Sequence, residues 1–214
     1  MGTATATTVH PGMSCRALLV LSTVLLLAGC SGLPAPQTIN QNTYALEALP
    51  AKPVAHTKQN IVLAVSTMQA QPGFDTAQIV YVQKPYELNY FATSRWVEPP
   101  AHMLTPLVMH AIEQSGGFRA VVRTSSAVPA DIRLDTELVQ LRHNFETRPS
   151  HVQLTLRATL IDLRAGRILA VKQFDDVENA ASEDAYGGVV AANRLLQRML
   201  GELTNYCINE SVIH

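Results

Sequence analysis

The fold is decided at residues 151–160, which read His-Val-Gln-Leu-Thr-Leu-Arg-Ala-Thr-Leu. Apolar and polar side chains alternate through Leu160, and this period of two is typical of a strand with one buried face. Arg164-Ala-Gly-Arg167 follows, where a glycine suits the left-handed backbone of a tight hairpin. Apolar residues then resume over 168–174. The C-terminal half is therefore predicted to be an antiparallel meander.

A second strand is predicted just before this one, with a change of phase inside it. Residues 132–138 place apolar side chains or threonine at even positions, whereas from Val139 the apolar residues fall at odd positions. One extra residue in a strand shifts the alternation in this way. We therefore expect a β-bulge near Leu138 and Val139.

The N-terminal half combines strands with one helix. Residues 61–65 form a continuous apolar run, as expected for a strand covered on both faces. A helix with apolar residues at helical spacing ends at Gly116-Gly117, and residues 118–122 resume as a strand. This order predicts a crossover connection within a mixed sheet. Two further strands are predicted on either side of Lys84-Pro85, over 78–83 and 86–91.

The last predicted helix begins near Ser182, a residue type that caps helix N-termini. Glu183 and Asp184 follow at the positive end of the helix dipole. Apolar residues then recur every three or four positions from Val189 to Leu203 and form a stripe that must be buried. Together these patterns predict an α/β fold: a single domain in which a mixed sheet with an antiparallel C-terminal meander packs against two main helices.

The N-terminal residues have the layout of a secretory signal. Residues 17–28 carry no charge and follow Arg16 directly. This run is too short for a spanning helix, which needs about 20 apolar residues. Leu27-Ala28-Gly29-Cys30 resembles the bacterial lipobox, which implies cleavage before Cys30 and lipidation of its thiol. The alternative is a buried helix that carries an ordinary cysteine.

The predicted signal peptide indicates where the protein is located and where its segments begin. Translation starts at Met1 or Met13. An Asp directly after the lipidated cysteine would resemble an inner-membrane retention signal. This chain has Ser31 at that position, so the domain is expected on the periplasmic face of the outer membrane. Four segments are predicted, namely a signal peptide (1–29), a lipidated cysteine with an extended linker (30–43), the folded domain (44–207) and a C-terminal tail (208–214).

Charge and cysteine content bear on nucleic-acid binding and on disulfide formation. The chain has 16 basic and 17 acidic residues, and removing 1–29 removes only Arg16, which leaves 15 against 17. A net charge of about −2 gives no reason to expect a nucleic-acid partner. Cys15 lies in the leader and Cys30 carries the lipid, so Cys207 stands alone and no intramolecular disulfide is expected.

No catalytic constellation is apparent in the sequence. The histidines are scattered without metal-site spacing, and the nucleophile elbow, the phosphate-binding glycine loop and the Cys-x-x-Cys pair are all missing. Acidic residues cluster between Asp175 and Asp184. Calcium would use such oxygens, but the EF-hand alternation is lacking, so a solvated turn is expected there. The sequence therefore predicts no catalytic residue, no metal and no cofactor.

Residues 81–100 hold five of the twelve aromatic residues of the chain (one Trp, six Tyr and five Phe), including the only tryptophan. Such density is typical of a binding surface, and Tyr86, Tyr90 and Trp96 are the candidate partner-binding residues. The alternative is that Tyr86, Leu88 and Tyr90 form one strand face packed on the core, while Trp96 plugs the loop before the helix.

Four motifs occur in order along the chain: the lipobox, a Tyr-x-Leu strand at Tyr44 to Leu46, Arg95-Trp-Val-Glu-Pro-Pro100, and a helix ending in Ser115-Gly-Gly-Phe118. Together they resemble the ABC-type transport auxiliary lipoproteins, a family that includes the PqiC type. The similarity covers about residues 43–205.

This resemblance implies a non-catalytic component of a lipid-transport system built on a periplasmic MCE-domain protein. An inner-membrane permease and an ATPase are the further implied partners, and no active-site residues carry over. Two alternatives stay open: a periplasmic binding module that regulates cell-envelope machinery, and an envelope hydrolase. The oligomeric state also stays open, a homo-oligomer included.

Overall fold

Nine strands form one mixed sheet in the computed structural model, which describes residues 40–47 and 57–211. The strands are β1 (Asn42–Tyr44), β2 (Val62–Val65), β3 (Gln69–Ala70), β4 (Gln78–Val82), β5 (Asn89–Trp96), β6 (Ala120–Arg123), β7 (Ile132–Asn144), β8 (His151–Asp162) and β9 (Arg167–Asn179). The helices are α1 (Pro100–Gln114) and α2 (Ala185–Glu210). Within the described ranges, neither helix combines the length and apolarity needed to cross a bilayer.

Strand β7 lies at the centre of this sheet. One of its edges pairs antiparallel with β8 along nearly its whole length, and β9 pairs in turn with β8. Its other edge pairs in succession with β2, β3 and β4, all of them parallel to it. Strand β6 extends the sheet beyond β2, and β5 and β1 extend it beyond β4. The predicted α/β fold with a mixed sheet is confirmed.

The C-terminal meander has the predicted register. The side chains of Val152, Leu154, Leu156 and Leu160 on β8 are buried, as their alternation indicated. Gly166 closes the β8–β9 hairpin with a positive φ of 64°. The pairing of β7 with β8 shifts register between Leu138 and Gln140, so the predicted bulge is also confirmed.

The N-terminal half follows its predicted connection. All four residues of β2 are buried, as expected for a strand covered on both faces. Strand β6 lies parallel beside it, with Val62 opposite Ala120, so the two strands are joined by a crossover that includes α1. Gly116 has a φ of +66° directly after α1, which only glycine adopts readily, and the helix ends there.

Helix α2 has the predicted buried stripe but a different N-cap. Asp184 has an extended backbone, and its carboxylate accepts a hydrogen bond from the Gly187 N–H at 2.7 Å. The Ser182 hydroxyl donates to the same carboxylate at 2.8 Å, so the prediction that Ser182 caps the helix was wrong. The helix continues to Glu210, and Ile208 is buried, so the folded domain extends past the predicted boundary at residue 207.

The acidic cluster is not the solvated turn that we expected. Asp175, Asp176 and Glu178 lie on β9, which continues to Asn179. Arg198 of α2 reaches across to Asp176 at 2.9 Å and Glu178 at 2.6 Å, and these carboxylates raise the pKa of its guanidinium. Because the arginine is 44% exposed, each pair contributes at most about 1 kcal/mol.

The folded region begins inside the predicted linker. Strand β1 pairs parallel with β5, with Asn42 opposite Ser94, so the linker is shorter than predicted. Tyr44 ends this strand, and its carbonyl accepts a hydrogen bond from the Val97 N–H at 2.8 Å.

The residues after β1 are held by helix α2. The Asn193 side chain donates to the Ala45 carbonyl at 3.2 Å and accepts from the Glu47 N–H at 2.9 Å. Leu46, between them, is 5% exposed and packs in the main core. The N-terminal segment is therefore an integral part of the domain.

Two glycines of α2 offer a matched test of how closely this helix packs on His143 of β7. A Cβ at Gly188 would lie 3.1 Å from His143 Cγ and Cε1 and closer still to Nδ1, whereas a Cβ at Gly201 would meet nothing within 4 Å. Gly188→Ala is expected to lower the free energy of unfolding by about 1–3 kcal/mol through overpacking. Gly201→Ala is expected to raise it by about 0.5–1 kcal/mol through helix propensity. Urea denaturation of both variants measures their free energies of unfolding. Equal changes in the two variants would contradict the close contact between Gly188 and His143.

Candidate functional site

The loop between β4 and β5, together with the first two residues of β5, exposes large side chains. We call residues 83–90 the aromatic loop. Tyr86 is 105% exposed, Leu88 40% and Tyr90 38%. A single exposed apolar side chain is common, but three large ones within five residues are typical of an interaction surface.

The backbone of the aromatic loop turns the Tyr86 ring outward. Tyr86 has a φ of +69° and is the only non-glycine residue with a positive φ in the described ranges. A bulky side chain in this conformation costs of order 1–2 kcal/mol. The Glu87 N–H closes the turn by donating to the Lys84 carbonyl at 3.3 Å. The strand predicted over 86–91 therefore begins only at Asn89, and the turn follows from Pro85, which the prediction placed between two strands.

Leu88 is partly exposed, and its side chain lies near Gly73. Its Cδ1 lies 3.4 Å from the position that a Cβ on Gly73 would occupy, and Gly73 has a φ of +92°. The Asn89 amide also donates to the Glu87 carboxylate at 3.1 Å. The alternative that Tyr86, Leu88 and Tyr90 form a strand face packed on the core was wrong, because the chain turns before it enters β5.

A cluster of rings supports the aromatic loop from below. Tyr81 lies 4.7 Å from Phe91 and 5.9 Å from Phe145, measured between ring centroids, and the second pair is edge-to-face. His143 stacks on Phe145 at 4.1 Å. Ring pairs of this kind contribute about 0.5–1.5 kcal/mol beyond their buried area. The exposed loop is therefore carried by a packed base.

Trp96 is not part of this exposed surface. It ends β5 and is 3% exposed, within the main hydrophobic core. It lines a small apolar cavity of about 10 Å³ together with His143 and Gly188, which is room for no more than one water. Trp96 therefore leaves the set of candidate partner-binding residues, whereas Tyr86 and Tyr90 remain accessible.

A buried serine and histidine lie in the arrangement of a nucleophile and its base. His143 Nε2 and Ser150 Oγ are 2.9 Å apart. Ser150 is 0% exposed and His143 2%, so a substrate has no access to either. Glu183 accepts a hydrogen bond from the Ser150 N–H at 2.9 Å and not from the histidine ring. The pair links the loop after β7 to the residues before α2, which is a structural role.

His143 is held in its neutral form. Its Nδ1 has no hydrogen-bond partner in the described part of the chain and faces Gly188. Burial lowers the pKa of His143 to about 4, although the carboxylates of Glu183 and Asp184 act in the opposite direction. The imidazole is therefore uncharged at neutral pH.

Two other surfaces carry exposed apolar side chains. A shallow groove of about 420 Å³ lies beside α1, lined by Pro106, Leu107, Met109, His110, Glu113 and Arg123. The edge strand β9 exposes Ile168, Val171 and Val177. Charged residues interrupt the apolar ones along β9, as is common on strands that must not pair with other chains.

Reactive groups are buried or dispersed in the structure. Cys207 is fully buried, and burial raises the pKa of its thiol. Among residues 40–47 and 57–211, no group of three His, Cys, Asp or Glu side chains converges as metal ligands do.

Comparison with known families agrees with this description. Residues 44–204 match the model of the ABC-type transport auxiliary lipoprotein component family. The chain belongs to this family. The resemblance drawn from the sequence motifs is thereby confirmed, over nearly the residues expected. No curated protein matches the sequence of this auxiliary lipoprotein.

Solved structures share the fold of the auxiliary lipoprotein. The crystal structure of protein XCC0632 from Xanthomonas campestris, a DUF330 protein, superposes with a TM-score of 0.70 at 22% identity, covering 79% of this chain and 96% of that one. The hypothetical protein CT253 from Chlamydia trachomatis gives a TM-score of 0.51 at 11% identity, covering 71% and 98%. At these identities the likeness concerns the fold alone.

Trp96 is buried and Tyr86 is exposed in the auxiliary lipoprotein, so their replacement is expected to affect stability differently. Trp96→Ala is expected to lower the free energy of unfolding by about 3–5 kcal/mol, because it empties a buried site. Tyr86→Ala is expected to change it by no more than about 0.5 kcal/mol, because its ring touches little. Urea denaturation of both variants checks this contrast, and a large effect of Tyr86→Ala would contradict the exposure of its ring.

The buried His143 predicts a pH dependence of stability. Its pKa is about 4 in the folded state and 6.5 when unfolded, so the unfolded chain binds more protons between these values. Stability is therefore complete above pH 6.5 and decreases as the pH falls toward 4, by up to about 3 kcal/mol. Unfolding of the wild type and of His143→Gln across this range measures the effect, with the exposed His102→Gln as control. If the free energy of unfolding depended on pH as strongly in His143→Gln as in the wild type, the dependence could not come from His143.

Proposed function

We propose that this auxiliary lipoprotein is a non-catalytic component of an MCE-based lipid transport system driven by an ABC-type permease and ATPase. A lipid on Cys30 holds it at the periplasmic face of the outer membrane. Its task is to dock the periplasmic MCE assembly to that membrane, so that lipid passes between the two membranes.

The family match over residues 44–204 is the observation that carries this proposal, because it spans nearly the whole folded domain. The motor of such a system lies elsewhere, since this sequence has no phosphate-binding loop. The buried Ser150 and His143 also favour a non-catalytic role, because neither side chain meets solvent.

The anchor is supported by the sequence before the domain. Leu27-Ala-Gly-Cys30 resembles a lipobox, and each acyl CH₂ buried in a bilayer contributes about 0.8 kcal/mol, so a cysteine with two or more acyl chains stays bound. Ser31 at the next position favours sorting to the outer membrane. The twelve Cα–Cα steps from Cys30 to Asn42 reach at most about 40 Å, so the domain works close to that membrane.

Isolation of the tagged full-length chain after crosslinking in cells tests the proposed partners. The wild type and Cys15→Ala, which changes only the leader, are expected to recover an MCE protein with its permease and ATPase. Cys30→Ala is expected to remain an uncleaved precursor without acyl label and to lose these partners.

Mass spectrometry of the recovered proteins decides between the outcomes. Enrichment of peptidoglycan enzymes without an MCE protein would instead identify a regulatory module of envelope machinery. Normal acyl labelling of Cys30→Ala would contradict the lipoprotein assignment itself.

A further inference from the structure

The aromatic loop lies at one defined end of the sheet. Strands β4 and β7 run parallel, with Tyr81 opposite His143, so both end on the same side. Strand β5 starts there too, because Asn89 pairs with Tyr81. The loop that connects β4 to β5 therefore projects beyond this end of the sheet.

The first described residues of the chain face the same end of the sheet. Strand β1 runs parallel to β5, so its first residue faces the end at which β5 begins. Asn42 lies opposite Ser94, five residues along β5 from Asn89, which is about 17 Å of strand. The twelve residues back to Cys30 span up to about 40 Å and cover this distance with length to spare.

The exposed side chains of the aromatic loop suit the boundary between water and lipid. Tyrosine rings have an apolar body and a polar hydroxyl, and they concentrate at membrane interfaces. Leu88 adds an apolar side chain between Tyr86 and Tyr90. Lys84 and Glu87 cancel each other in charge, and the lysine can extend its ammonium toward the headgroups.

From these observations, and resting on the proposed lipidation of Cys30, we propose that the aromatic loop inserts Tyr86, Leu88 and Tyr90 into the interfacial layer of the anchoring membrane. The lipid and the loop then make two contacts with one bilayer. The domain stands on the membrane with β4 and β7 ending at its surface. The opposite β8–β9 hairpin, around Ala165, points away from it.

The cysteine content allows a direct test with single labels. Cys207 is fully buried and Cys30 is acylated in the proposal, so an introduced cysteine is the only accessible thiol of the mature protein. Tyr86→Cys places a bimane fluorophore on the aromatic loop. Ala165→Cys places the same fluorophore on the exposed hairpin at the other end of the sheet, as the matched control.

Both acylated, labelled proteins are reconstituted into phosphatidylcholine vesicles with and without doxyl-labelled lipid. The Tyr86→Cys probe is expected to emit at shorter wavelength and to be quenched by the doxyl groups, while the Ala165→Cys probe stays unquenched. Equal quenching of the two probes, or none at Tyr86, would overturn the proposal. Mass spectrometry of the same samples reports acylation, and flotation reports anchoring. A failure of the proposed lipidation is therefore distinguishable from a failure of the loop to insert.

A photocrosslinking amino acid at position 86 tests the same contact in cells. Without a protein adduct, and with lipid attached to the probe, the bilayer is the occupant of this surface. A single protein adduct at position 86 would overturn the proposal and assign the aromatic loop to a protein partner. The same probe at position 165 serves as the control for nonspecific crosslinking.

Discussion

The pairing of β7 with β8 is the constraint on which the rest of the structure depends. Because side chains alternate across a strand, a slip of one residue would turn every apolar side chain of β8 from the helices to solvent. The bulge between Leu138 and Gln140 keeps the apolar side chains of β7 on the same face before and after it. The other edge of this long strand accepts β2, β3 and β4 in turn, so β7 joins the two halves of the sheet.

Local patterns predicted the meander, its hairpin glycine and the buried stripe of α2, because each depends on residues close in sequence. The N-cap was harder, since Ser182 and Asp184 are both good caps. The structure uses Asp184, with Ser182 donating to it, while Glu183 between them accepts a hydrogen bond from Ser150 in the loop after β7. Strand β9 also extends through the acidic cluster because Arg198, twenty residues away or more, lies beside it.

The candidate site was predicted in outline only. Aromatic density over residues 81–100 indicated a surface, but the division between core and surface follows from where β5 begins. Starting the strand at Asn89 puts Trp96 in the core and leaves Tyr86 in the turn. The burial of His143 and Ser150 had no signal in the sequence, since Gly188 and Glu183 near the start of α2 meet these residues only in the folded chain.

Strand β1 also determines how the domain bears mechanical load. In the anchored state proposed above, tension on the N-terminal side of Asn42 acts on β1 beside its parallel neighbour β5. In this shear geometry the hydrogen bonds between the strands carry the force together, whereas a pull across them would open one at a time. Leu46 in the core, and the hydrogen bonds of Asn193 to Ala45 and Glu47, hold the residues that follow β1. Tension applied on the N-terminal side of Asn42 must therefore shear β1 from β5 and withdraw Leu46 from the core before it reaches the rest of the fold.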